Sequence, residues 1–245
     1  MFNDDVMFYF DEINGKKILK SDFLQNLEHF FTTRETVIKS AEVEMQNLVA
    51  TNKKLIKDYL GIQELVSPTQ THSDNIDFVE EGKFDYPNTD ALILNNKSQA
   101  VFLNFADCTP VILYDSKQNI AAIAHAGWRG TAQKIAPKTI QTMNSNPKDI
   151  IAVIGPAISL CCYNVGEDVF NQLKSTVEIF DKLFKIKNNE FYVDLKGINA
   201  SQLKELGVEK IDICPYCTCC NNDISFSYRK ENRTTNRHSA VIKLQ

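Results

Sequence analysis

The chain has little that would carry it into a membrane, onto nucleic acid or through a secretory pathway. Its longest uncharged apolar stretch, IIAVIGPAISLCC at 150–162, is too short for a bilayer, which needs about 20 residues. A formal net charge of −4 gives no electrostatic case for nucleic acid or an anionic lipid surface. The opening MFNDDVMFYFDE has neither the cationic nor the apolar region of an export signal, so a cytoplasmic protein is expected. No GxGxxG or GxxxxGKS loop is present, which leaves dinucleotide and P-loop nucleotide binding without support. Linkers rich in Pro, Gly or Ser, low-complexity tracts and internal repeats are also missing, so one domain over 1–245 is expected.

What is present describes a globular protein: 245 residues, 43% apolar and 24% charged, enough for one well-buried core. Strand-like runs rich in β-branched and aromatic residues recur at VMFYF (6–10), HFFTT (29–33), ELVSPT (64–69), NIDFV (75–79) and DALIL (90–94). They continue at AVFLNF (100–105), PVILYD (110–115), IAAIAHA (120–126) and DIIAVIG (149–155), then FYVDL (191–195), EKIDIC (209–214), SFSYRK (225–230) and SAVIKL (239–244). Helical spacing is expected over 36–60, 130–144, 167–184 and 195–206. The central strands follow one another without helices between them, a pattern of an α+β sandwich rather than a doubly wound sheet.

Chemistry concentrates at strand ends. Ala-Asp-Cys-Thr-Pro (106–110) and Ala-His-Ala-Gly-Trp-Arg-Gly (124–130) each follow an apolar run, the place where α/β proteins position reactive groups. Cys108 and His125 lie 17 positions apart, a distance that suits strand, turn and returning strand, and His72 precedes Cys108 by 36. Two imidazoles and a thiolate, with a fourth position left to water, compose catalytic zinc sites. A lone surface histidine or a small buried cysteine is the commoner fate of such residues. Against that, Asp107 places a charge beside Cys108 that a plain core would not tolerate unpartnered. His125 interrupts an apolar run and leads into Gly127, Trp128, Arg129 and Gly130, a tight turn suited to an anionic or planar ligand.

Seven cysteines without an export signal read as thiols or metal ligands rather than disulfides. Cys-Pro-Tyr-Cys-Thr-Cys-Cys at 214–220 looks like half of a zinc ribbon, but no second CxxC or HxxxH pair lies at ribbon spacing. These cysteines, and Cys161-Cys162, are expected to be structural thiols without a second metal. Arg34 and Arg229 follow apolar runs and are candidates to aim into a pocket, whereas most arginines of the polar tail, SYRKENRTTNR, are expected to be solvated.

The blocks THSDN (71–75), TDALIL (89–94), ADCTPVILYD (106–115), AAIAHAGWRG (121–130), IGPAISLCCYNVG (154–166), CTCCNNDISFSYRK (217–230) and TTNR (234–237) resemble the laccase-domain family. Its members were first labelled polyphenol oxidases or multicopper laccases, and later described as purine nucleoside phosphorylases with adenosine deaminase activity. The likeness runs from about His29 to the C-terminus. It implies a single-domain α/β/β/α-like sandwich of mixed sheets with flanking helices. It also implies a metal on His72, Cys108 and His125, with Arg34 and Arg229 facing the pocket. The chain departs from the family pattern at Gln70-Thr71-His72-Ser73, usually Gln-Val-His-Gly, and at Thr235-Asn236-Arg237, usually Thr-Gly-Arg. It also lacks the Gly-Gly loop after Arg34.

The expected function is therefore zinc-dependent phosphorolysis of adenosine or inosine, and of methylthioadenosine, with deamination of adenosine as a second activity. The substrates would be purine nucleosides and phosphate. Arg34, Arg129 or Arg229 would hold phosphate, and Asp107, Thr109 and Trp128 would position ribose or base. A copper oxidase is the alternative, with Met7, Met45 or Met143 as axial ligand. Four histidines are too few for a multicopper cluster. A cysteine hydrolase would use Cys108 as nucleophile and His125 as base. A non-catalytic metal- or partner-binding protein has no amphipathic helix or charged tail in its favour.

Overall fold

The continuous apolar runs become strands with two apolar faces, and each face needs its own cover. The computed structural model describes residues 7–179 and 181–245. Its first elements are β1 (Phe8–Ile13), β2 (Lys16–Ser21), β3 (Leu27–Thr32), α1 (Gln46–Leu60), β4 (Glu64–Val66), β5 (Ile76–Phe78) and β6 (Ala91–Leu94). There follow β7 (Gln99–Phe105), β8 (Thr109–Asp115), β9 (Ile120–Ala126), α2 (Trp128–Ala132), α3 (Ile135–Thr142) and β10 (Ile150–Ile154). The last are β11 (Asn164–Val165), α4 (Glu167–Lys174), β12 (Phe184–Lys187), β13 (Glu190–Val193), α5 (Leu195–Leu206), β14 (Lys210–Ile213) and β15 (His238–Leu244).

Two six-stranded sheets run β1-β2-β3-β15-β7-β4 and β14-β10-β8-β9-β6-β5, and a small sheet runs β11-β13-β12. Both large sheets are mixed, with β4 parallel to β7, β5 to β6 and β14 to β10. Val101, Leu103 and Phe105 of β7 meet Ile112 and Tyr114 of β8 and Ile123 of β9 in a core shared by both sheets. The opposite faces take helices. Ala100, Phe102 and Val241 pack on Ile56 and Leu60 of α1, while Val111, Leu113 and Ala122 pack on Ile135 and Ile140 of α3 and Leu203 of α5. The result is the helix–sheet–sheet–helix layering of a single α+β domain. Each fully buried Leu, Ile or Phe contributes roughly 1.5–3 kcal/mol, so the sheet-to-sheet core is the main source of cohesion.

Local departures from the sequence pattern have local causes. The expected helix at 130–144 splits at Lys134, whose φ of 58° breaks the ladder between α2 and α3. The one at 36–60 starts only at Gln46, because Arg34–Thr36 and Val43–Met45 form short 3₁₀ turns. The segment 167–184 is helical only to Lys174 and then feeds β12. SFSYRK is not a strand: Glu231 accepts from Ser227 N, and Lys230 N donates to Ser227 Oγ, winding it into turns. For the strand expected at VMFYF, Val6 lies outside the described residues and β1 starts at Phe8.

Candidate metal centre

Three chain segments converge where the sheets meet. β7 ends in the turn Ala106-Asp107-Cys108, where Asp107 takes a φ of 85°. That left-handed conformation is uncommon outside glycine and is over-determined here. Asp107 Oδ1 accepts from Thr218 Oγ1 at 2.7 Å, Oδ2 from the Arg229 amide at 2.7 Å, and its carbonyl from the Ile158 amide at 3.0 Å. Cys108 is left half-buried at the head of β8. His125 sits buried near the end of β9, and His72 is an exposed loop residue with a φ of 62°.

The ligating atoms of His72, Cys108 and His125 all lie within 4.8 Å of one another. Cys108 Sγ is 3.8 Å from His72 Nε2, and the two imidazole centroids are 4.9 Å apart. Gly127 makes room for them: a Cβ there would stand 3.0 Å from Cys108 Sγ and 3.1 Å from His72 Cδ2. The organiser is Asp90, just before β6. Its Oδ1 meets His125 Nδ1 at 2.7 Å and accepts the His72 amide at 3.1 Å, while its Oδ2 accepts the amide and hydroxyl of Ser73, each at 2.7 Å. This carboxylate fixes the His125 ring and leaves Nε2 as its remaining donor, the usual support for a metal-bound histidine.

Electrostatics favour a Cys108 thiolate beside a protonated His125, whose proton would have to leave before an ion binds. Burial opposes ionisation of Asp90, yet the bonds from His125 and Ser73 hold its carboxyl well below the usual range. Burial likewise opposes a Cys108 thiolate, and the His125 and His72 imidazoles overcome it, drawing the thiol down. Burial would lower His125, but Cys108 and Asp90 push it up. Two imidazoles and an easily ionised thiol, with space between them, fit a zinc-type ion with an open position. Among Met7, Met45 and Met143, none lines the cavity beside this cluster, so none is placed as an axial copper ligand.

That cavity encloses ≈ 740 Å³, within the range of small-molecule sites. Trp128, Tyr163 and Tyr228 give it aromatic walls, and Lys39, Arg229 and Arg237 supply cations. Arg229 Nη2 donates to the Asn164 carbonyl at 3.0 Å, and its guanidinium stands 5.5 Å from the Tyr163 ring centroid. Burial, with Cys108 and Asp107 nearby, pushes the Tyr163 hydroxyl above its ordinary range, so it stays protonated.

Not every expected residue arrives. Arg34 is absent from the lining: its guanidinium forks onto Glu231 at 2.9 and 3.1 Å and lies over the Phe226 ring. Arg129 is exposed, stacked on Trp128, and also outside the lining. Asp107 lines the cavity with both carboxylate oxygens already engaged, and Thr109 is fully buried and outside it. Sequence reasoning missed Asp90, Tyr163, Lys39 and Arg237. The Asp90 that opens DALIL was the available signal, since a carboxylate at the mouth of an apolar strand needs a partner.

The cysteines also correct an expectation. Cys161, Cys162, Cys217 and Cys220 cluster with their sulfurs within 4.8 Å of one another. The partner pair missing from the C-terminal run is Cys161-Cys162, brought in by a parallel bridge between Ala157 and Cys217. Cys214 instead joins the inter-sheet core, and Cys219 stays outside the cluster.

The chain is similar to known proteins in sequence and in fold. A purine nucleoside phosphorylase of Clostridium acetobutylicum is 32% identical over 242 residues, covering 94% of this chain and 100% of the relative. One of Haemophilus influenzae is 31% identical, covering 89% and 94%. The hypothetical protein YfiH of Bacillus licheniformis superposes with a TM-score of 0.86 at 30% identity, over 96% of this chain and 99% of its own. YlmD of Geobacillus stearothermophilus gives 0.86 at 25%, over 98% and 100%. Residues 28–245 match the model of the multi-copper polyphenol oxidoreductase laccase family, and with that span the chain belongs to this family.

Proposed function

We propose that the protein is a zinc-dependent purine nucleoside phosphorylase acting on adenosine and inosine, and on methylthioadenosine, with adenosine deamination as a second activity. The observation that carries this reading is the His72–Cys108–His125 cluster opening onto a cavity with both aromatic walls and cationic side chains. The names of the relatives point the same way. His72, Cys108 and His125 would hold the ion, and zinc supplies Lewis acidity toward a polar group or a water beside it. Arg229, Arg237 and Lys39 would bind phosphate by charge-assisted contacts. The purine would stack on Trp128, Tyr163 or Tyr228, with the protonated Tyr163 hydroxyl as a donor. In phosphorolysis a phosphate oxygen bonds C1′ of the ribose while the base departs with the glycosidic electron pair.

Incubation with adenosine or inosine, with and without phosphate, tests this by chromatography of the bases. Phosphate-dependent adenine or hypoxanthine, with inosine appearing from adenosine alone, is the expected result. No product under any of these conditions would refute the reading.

A cysteine hydrolase is the second reading, favoured by one observation: Cys108, His125 and Asp90 form a thiol–imidazole–carboxylate chain. It requires a free thiolate. Rapid alkylation of Cys108 in zinc-loaded protein would support it, whereas protection by metal and release by chelation supports the phosphorylase.

A further inference from the structure

We propose that Cys161, Cys162, Cys217 and Cys220 form a second metal site, a closed tetrathiolate that takes a zinc ion and staples the loop before Tyr163 to the turn that carries Cys217 and Cys220. The distances suit it. A tetrahedron with Zn–S bonds of 2.3 Å has edges of about 3.8 Å, and Cys220 Sγ lies 3.6 Å from Cys161 Sγ and 3.5 Å from Cys162 Sγ. A disulfide would need about 2.05 Å between two of these sulfurs and would leave the other two without a role.

Backbone geometry supports the same assignment. Cys217 and Cys220 stand in a C-x₂-C turn, a spacing of structural zinc ligands. The amide of Ser159 donates to Cys217 Sγ at 3.4 Å. Such a donor neutralises part of the charge of a metal-bound sulfur. Both loops are fixed before any ion arrives. Thr218 N donates to the Ala157 carbonyl at 3.1 Å, and Asn221 N to the Cys217 carbonyl at 2.8 Å. Lys196 of α5 donates to the carbonyls of Cys214 and Tyr216 at 2.7 and 3.1 Å, and Lys230 to that of Cys219 at 3.0 Å. Zinc binding would release the thiol protons to solvent.

The site has a job in the fold. The turn that carries Cys217 also carries Thr218, which holds Asp107, and the loop that carries Cys162 continues into Tyr163 and Asn164, the latter a partner of Arg229. A metal here would fix the spacing of these two segments through ligands none of which belongs to the first cluster.

Because the two clusters can be separated by mutation, the test does not depend on the proposed activity. The Cys108→Ser variant should retain about one zinc per chain, and its cobalt form should show the intense sulfur-to-cobalt charge transfer of a tetrathiolate. Adding Cys217→Ser and Cys220→Ser should remove both. The wild-type chain gives a second readout that survives if these variants fail to fold. Iodoacetamide mapped by mass spectrometry should label Cys161 and Cys220 slowly in the zinc-loaded protein and at least about tenfold faster after chelation. Cys219 should keep its rate. The proposal is overturned by a Cys108→Ser protein without zinc or tetrathiolate spectrum, by labelling indifferent to chelation, or by a Cys161–Cys220 or Cys162–Cys220 disulfide in acid-trapped cell extracts.

Discussion

The two sulfur-bearing clusters are assembled from different materials. His72, Cys108 and His125 hang from strand ends and a loop braced by Asp90, mix nitrogen with sulfur, and border a cavity. Cys161, Cys162, Cys217 and Cys220 come from two turns beside the sheets and offer four sulfurs with no fourth position left over. An ion in the first would have three protein ligands, whereas one in the second would have four. The contrast teaches that ligand count and backing element, rather than the presence of cysteine, distinguish the two clusters and set the roles proposed for them.

The sharpest way to break that contrast is at the first cluster. Cys108→Ser should reduce phosphorolysis by more than about a hundredfold, beyond the usual cost of losing a supporting residue, while the midpoint of thermal unfolding moves little. A large loss of stability with activity per folded molecule retained would reverse the roles assigned to the clusters. Next in size is Asp90→Asn, expected to weaken metal binding or turnover by roughly 10–100-fold, read by competition with a chromogenic chelator. Unchanged affinity would mean that His125 is oriented without it.

A smaller effect separates the arginines. Arg237→Ala or Arg229→Ala should raise the KM for phosphate by about tenfold or more, because a charge-assisted contact is worth about 1.5–3 kcal/mol. Arg34→Ala should leave that KM nearly unchanged, its guanidinium being committed to Glu231. Equal effects at all three positions would place Arg34 in the site after all. The smallest concerns acid stability, where neither cluster is needed. Burial, aided by nearby Arg237, pushes His238 down to about 4. The unfolded chain takes up a proton there near pH 6.5 and the folded chain does not. Stability is thus complete above pH 6.5 and falls as the pH drops toward 4, by up to on the order of 3 kcal/mol. Urea titrations at pH 7 and pH 5 should show the slope, and His238→Gln should reduce it, with part remaining from His29, also lowered by burial.

The sequence was legible where a reactive residue breaks an apolar strand. Cys108 and His125 do so, and β8, β9 and the helix over 195–206 fall where the pattern set them. Legibility failed where contacts join distant segments. Cys162 and Cys220 are 58 positions apart, and only the Ala157–Cys217 bridge makes them neighbours. Arg237 sits in a polar tail that reads as solvated, yet it turns into the cavity, its guanidinium donating to the Thr234 and Asn236 carbonyls. Arg34 misled for the opposite reason, since a strand-end arginine with a carboxylate partner nearly two hundred positions away looks unpaired in one dimension.

The carboxylate of Asp90 has a mechanical consequence. Through its two oxygens it references both histidine-bearing segments to one point at the head of β6. Breathing of one sheet against the other therefore carries His72 and His125 along together, like two hands of a clock on one spindle. Cys108 is tied to the same sheet at the head of β8, where Pro110 pairs with His125 of β9, and by the braced turn at Asp107. The soft coordinate of this ligand set is the exposed imidazole of His72, whose side chain stands on a loop while Cys108 and His125 share a strand pair, so warming should widen the spread of its separations before it touches that between the sulfur and His125.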